Sequence, residues 1–510
     1  MAPKLTDIQL NVRPVFIAFI HQYAFEGPCR FGQGEQLEHD YDVMMAQELF
    51  KKFRSNIAKN TPEGINILEP IYVERSDWFE MKEGIYEEMS KDINEVDFFL
   101  FSTGIARGDL FLEFGERFGK PIGIVPWQCC GPFSNTAAAR ARGLEAYSFR
   151  NWDDFKTYMR VFRARKALQQ TRVLMSARAN SEVSLSTPDV FVNAHDVTRR
   201  LGVRLRYISE HELLDLMQPV DPSTNHTLPG RKACNINDTD LAEAEALADE
   251  LIAGAQEVRM SREDILRTLH AYLTVKKVLE ANDCNAFTMQ CPDMCATRRF
   301  NEQRITPCMI HALNCEHGVP SACEYDLNAL LAMVVLMNLS GKATYMGNVN
   351  CVYYDEEGKM TTLQAIGEKD ITGVPEADKP NLYMTFHAAA NRKLKGLTEP
   401  AAPYAISPFT YSGFGATFRM DFSADRGQEI TLCRFAPDGK QLFVGKGTIS
   451  AGFGYNSYNC DQGFFFTVGD QADFFYKHIN FGNHLPLVYG DYTRELKLLG
   501  EILGFEVVTA

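Results

Sequence analysis

The run SACEYDLNALLAMVVLMNLSGKATYMGNVN, residues 321–350, limits the available folds more than any other part of the chain. Its centre, LNALLAMVVLMNL, is apolar enough to be core and too short to cross a bilayer, so it predicts a buried helix over 327–339. Glu324 and Asp326 stand at the mouth of that helix. A carboxylate entering a core needs a partner, and the partner has to come from elsewhere in the sequence.

With 510 residues the chain is long enough for two to four domains and a sizeable core. Hydrophobic residues at 45% and charged residues at 23% are the proportions of a soluble globular protein. A net charge of -14 and the lack of a basic patch argue against a nucleic-acid partner. The opening MAPKLTDIQLNVRP has no basic stretch followed by an apolar one, and no run is long enough for a membrane span. The expectation is a cytoplasmic protein with no membrane partner.

Strand and helix patterns alternate first. VFIAFI (15–20), DFFLFS (97–102) and PIGIV (121–125) read as buried strands, with the helical RGDLFLEFGERFG between the last two. Strand, helix, strand in this span predicts a βαβ unit and a parallel sheet. The pattern restarts at RVLMSA (172–177) and continues through VRLRYIS, two long helices and NAFTMQC (285–291). The second long helix opens on a capping-box-like Ser261 and Asp264. Beyond 351 the texture becomes β-rich: ITLCRFAPDGKQLFVGKGTIS reads as a hairpin on a Pro-Asp-Gly turn, and a helix near 491–503 and a strand FEVV close the chain. The expected plan is α/β: two Rossmann-like α/β domains with parallel sheets, 1–170 and 171–350, then a barrel-like β-rich domain, 351–510.

Thirteen irregularly spaced cysteines argue against a disulfide framework. Seven lie between Cys284 and Cys351, but Cys291 and Cys295 followed by Cys308, His311, Cys315 and His317 match zinc spacing poorly. Reduced core thiols are the better reading. FGQGEQ (31–36) and SGFGATF contain GxG without the third glycine and following helix of a nucleotide fingerprint.

Asp326 has the placement of a helix cap. Glu324 precedes the helix among small and apolar residues, where a metal ion would supply its partner. His387, ending the strand-like LYMTFH, and His484, in a Gly-Asn-His-Leu-Pro loop, are the imidazoles that would complete a carboxylate and two-histidine set for Mn, Fe, Co or Zn. Spacing alone leaves open whether they converge.

The run ACEYDLNALLAMVVLMNLSGKATYMGNVN resembles the L-fucose isomerase and L-arabinose isomerase superfamily. NVRPVFI is similar to that family's first strand, CNAFTMQC to the strand before its metal loop, and GNHLPLVYGDYTRELKLLGEILGFEV to its C-terminal segment. The resemblance implies Glu324 as metal ligand and catalytic base, with His387 and His484 as ligands. Where the family has a second acid, this chain has Gly347 and Asn348. Asn348 is thereby a neutral ligand or the mark of an altered site, and the second acid–base group falls to Asp326 or a water. Arg30, Gln290 and Asn483 are candidates to bind sugar hydroxyls. The implied activity is a divalent-metal-dependent isomerase, most simply with Mn²⁺, converting an unphosphorylated aldose, deoxy or otherwise modified, to its ketose through a cis-enediol. A lyase, dehydratase or epimerase on the same metal site, and a non-catalytic sugar-binding relative, are the alternatives. The family also implies a homo-oligomer, a trimer or hexamer.

Overall fold

The structure is a computed structural model describing residues 2–27, 30, 32–76, 84–102, 108–126, 131–177, 194–221, 234–291, 298–361 and 373–510. The chain divides into two compact units, one of residues 9–163 and one of residues 1–8 with 164–510.

The unit 9–163 is built on a parallel sheet. Strand β1 (Leu10–Ile20) is long enough to pair with β2 (Ile65–Ile67) along its first part and with β3 (Ile71–Ser76) along its second. Its other edge takes β4 (Phe98–Phe101), followed by β5 (Ile122–Ile124) and β6 (Ala146–Ser148). The helix Gly108–Phe118 makes the crossover between β4 and β5 and stops at Gly119, whose φ of 60° suits a residue without Cβ. Both β1 and β4 are almost wholly apolar because helices cover both faces of such a sheet.

The larger unit has a second parallel sheet, in the order β11 (Ser321–Ala322), β10 (Ala286–Met289), β7 (Arg172–Ala177) and β8 (Arg204–Ser209). A three-stranded sheet joins β9 (Glu257–Val258) to β14 (Ala405–Pro408) and β15 (Ala416–Arg419). The remaining strands close a six-stranded antiparallel barrel. Its order is β16 (Glu429–Phe435), β19 (His484–Tyr489), β12 (Tyr345–Cys351), β13 (Leu382–Phe386), β18 (Gly463–Thr467) and β17 (Gln441–Phe453), with β17 pairing back to β16. The last strand, β20 (Glu506–Thr509), adds to β17 in parallel. Closure leaves no free edge within the barrel. The expected hairpin joins β16 to β17, with Gly439 at φ 65° in its turn.

The helix Leu327–Ser340 packs against β10 and β11 on one side and against β16 and β19 on the other. Covered by both sheets, it needs no polar face, and its residues from Leu327 to Leu339 are buried. Gly341, at φ 66°, ends it. The expected cap of the earlier helix, Arg262–Ala281, is present: Asp264 N–H donates to Ser261 Oγ at 3.1 Å.

One expectation is corrected. His484 is not in a loop but is the first residue of β19. Pro486, within that strand, has no N–H to donate. The strand tolerates it because pairing with β16 begins only at Leu487.

Candidate metal centre

The chain reaches the centre through an unusual turn. After β11, Glu324 and Tyr325 take φ values of 58° and 62° in succession, each in a region that L-residues other than glycine rarely occupy. Tyr325 N–H donates to Met289 O at 3.1 Å and Asp326 N–H to Cys323 O at 3.2 Å, which fixes the turn against the end of β10. The reversal sends the two carboxylates to different tasks.

Asp326 enters the core completely. Its Oδ1 accepts Ala329 N–H at 2.7 Å and so caps the buried helix. Its Oδ2 accepts Arg434 Nη1 at 2.6 Å and His484 Nδ1 at 2.9 Å. Burial opposes the charge on Asp326, but Arg434 and His484 outweigh burial and hold the carboxyl below its ordinary range. Arg434, on β16, is itself fully buried and also donates to the carbonyls of Phe481 and His484.

Glu324 points to the barrel histidines. Its Oε1 lies 3.5 Å from His387 Nε2, and its Oε2 lies 3.6 Å from His484 Nε2. Ligand atoms of the three residues all lie within 4.8 Å of one another. Burial would raise the Glu324 carboxyl, but the adjacent His387 and His484 rings hold it down to about 2. His484 donates from Nδ1 to Asp326 and turns its Nε2 toward Glu324, the arrangement in which a carboxylate orients a ligating imidazole. His387, 1% exposed, follows β13, and its buried Nε2 makes no hydrogen bond. Ala388 N–H donates to its Nδ1 at 3.1 Å, which fixes the ring with Nε2 toward Glu324. A carboxylate and two imidazoles at this separation fit a divalent cation of intermediate hardness.

The other candidates are distributed more widely. Asn348 on β12 is opposite both Phe386 and His484 in the barrel, and its Oδ1 accepts from the exposed Asn483. Gly347 leaves no room for an acid: a Cβ there would lie 2.1 Å from Thr385 Oγ1. Gln290 follows β10 beside the Glu324 turn, and its buried Oε1 makes no hydrogen bond. Arg30 belongs to the unit 9–163, where its guanidinium donates to Tyr23 O, Leu37 O and Asp42.

Among the described residues every cysteine is a free thiol, and Glu324, His387 and His484 form the only metal-competent group. Burial pushes the Cys308 and Cys315 thiols up to about 12, which is unlike thiolate zinc ligands. Cys295, part of the zinc reading, lies outside the described residues. Sequence reasoning missed Arg434. Its signal was a charged residue within the apolar TLCRFAP, where alternation alone would have put an apolar side chain.

No family model matches the chain. It is similar to proteins named sulfoquinovose isomerase. That of Priestia aryabhattai is 28% identical over 451 residues, which cover 81% of this chain and 85% of the relative. That of Priestia megaterium (strain ATCC 12872 / QMB1551) aligns with the same identity and coverage. That of Alkalicoccus urumqiensis is 25% identical over 276 residues, 53% of this chain and 54% of the relative.

Proposed function

We propose that the chain is an aldose–ketose isomerase for a sulfonated hexose of the sulfoquinovose kind, dependent on a divalent metal held by Glu324, His387 and His484. The observation that carries this reading is the meeting of those three side chains, in a chain aligned over 81% of its length with a sulfoquinovose isomerase. The oxygen and nitrogen ligand set favours Mn²⁺ over thiolate-seeking ions. The family resemblance adds a homo-oligomer, a trimer or hexamer.

Isomerisation moves a proton between adjacent sugar carbons through an enediol. A bound divalent ion would polarise the carbonyl and stabilise the charge that develops on the two sugar oxygens. Glu324 is the group placed to carry the proton. With its carboxyl held down to about 2 it is a ligand before it is a base. Asp326, engaged by three donors, orients His484. Gln290 Oε1 and the Asn348–Asn483 amide pair offer hydrogen bonds to sugar hydroxyls.

The test is metal content and turnover together. Purified wild type is expected to carry about one divalent ion per chain and to lose turnover of sulfoquinovose on treatment with EDTA. His484→Ala is expected to lose both ion and turnover. A wild type that is purified metal-free and refuses added Mn²⁺ contradicts the reading.

A further inference from the structure

Among the described residues, two arginine side chains of the larger unit are wholly buried, and their surroundings differ. Arg434 is paired with the Asp326 carboxylate and two carbonyls. Arg419, the last residue of β15, has one hydrogen bond, from Nη2 to Asn459 O at 2.9 Å. Its Nε and Nη1 make none, and Asp461 is a carboxylate near enough to act on its charge. Buried guanidinium N–H groups without acceptors are costly unless something supplies them.

Arg419 is joined to the metal centre by one short segment. Asn459 O holds its guanidinium, and Gln462 Oε1 accepts Met420 N–H at 3.1 Å. Gln462 O then accepts the backbone N–H of His387 at 2.9 Å and the Tyr345 hydroxyl at 2.7 Å. Gln462 is itself fully buried, and its Nε2 makes no hydrogen bond. Three buried nitrogen donors, Arg419 Nε and Nη1 and Gln462 Nε2, therefore lack acceptors beside the segment that positions His387. Burial pulls Arg419 below the ordinary arginine value, while the neighbouring Cys308, Cys460, Tyr345 and Asp461 oppose that shift. Sugar hydroxyls ask for acceptors as well as donors. A fixed cation with donors alone suits an oxyanion, which a guanidinium binds through paired N–H groups.

We infer that Arg419, assisted by Gln462, is the anchor for the sulfonate of the sugar, distant from the carbons that react. This rests on the isomerase reading of the same site. The test is initial rates of the metal-loaded full chain on sulfoquinovose and on quinovose, which has hydrogen in place of the sulfonate. Wild type is expected to favour sulfoquinovose in kcat/KM by about 100-fold. Arg419→Gln is expected to raise KM for sulfoquinovose by about 100-fold with a much smaller change in kcat, and Arg419→Lys to recover part of the loss. If Arg419→Gln does not fold, Gln462→Met carries the test, with KM for sulfoquinovose rising about tenfold and the preference falling with it. Equal wild-type rates on the two sugars overturn the anchor and leave the isomerase reading standing. So does a variant whose rates on both sugars fall together, because that is loss of structure. Turnover of neither sugar removes the isomerase reading, and the anchor with it.

Discussion

Asp326 shows how much one buried carboxylate can organise. It caps the helix, neutralises Arg434 and sets the tautomer of His484. Removing its charge leaves Arg434 uncompensated in the core, which costs about 3–5 kcal/mol. Asp326→Asn should lower the urea midpoint accordingly and weaken Mn²⁺ binding by about 10–100-fold. The pH dependence follows from the direction of its shift. With a carboxyl depressed on folding, the stability is fully present above the ordinary aspartate range and is lost as pH falls toward the depressed value. The variant should lose that acid limb in a series of urea titrations, and an unchanged limb would remove Asp326 from its origin. Glu324, His387 and His484 were each legible in the sequence as candidates, because carboxylates and imidazoles beside apolar runs stand out. Arg434 and Arg419 were not, because a strand pattern does not reveal which buried charge finds a partner.

At the scale of elements, the close approach of β12 to β13 decides what the barrel can carry near the centre. A Cβ on Gly347 would meet Thr385 Oγ1 at 2.1 Å and Phe386 N at 3.1 Å. Gly347→Ala should cost about 1–3 kcal/mol in thermal or urea unfolding. Thr385 Oγ1 makes no hydrogen bond, so Gly347→Ala with Thr385→Ala should recover most of the loss, and a double-mutant cycle measures that coupling. If the two losses simply add, the clash is not the cause. The helix 327–340 was readable from its composition, since a helix without a polar face must be covered on every side. The start of β19 was not, because Pro486 masks it and only the offset of the β16 pairing explains it.

For the whole molecule, the parallel sheets could be read from strand and helix alternation, whereas closure of the barrel could not. Closure depends on β17 meeting β16 on one side and β18 on the other, and no local pattern encodes which strands return to each other. The candidate metal centre also draws its residues from distant parts of the chain, a turn after β11, the residue that follows β13 and the first residue of β19. Binding should therefore stabilise these segments together. Hydrogen exchange with and without Mn²⁺ is expected to show increased protection at 321–326, 345–351, 382–388 and 484–489, with the unit 9–163 unaffected. Protection confined to one of these segments would mean that the three ligands do not share an ion.

The central claim is a proton transfer served by Glu324, and proton NMR of sulfoquinovose in D₂O tests it most directly. Metal-loaded wild type should exchange solvent deuterium into the sugar at the carbons that interconvert, as the ketose forms. Glu324→Gln should slow that exchange by about 10²–10⁴-fold. Ketose formation without deuterium, or at an undiminished rate in Glu324→Gln, would contradict the account.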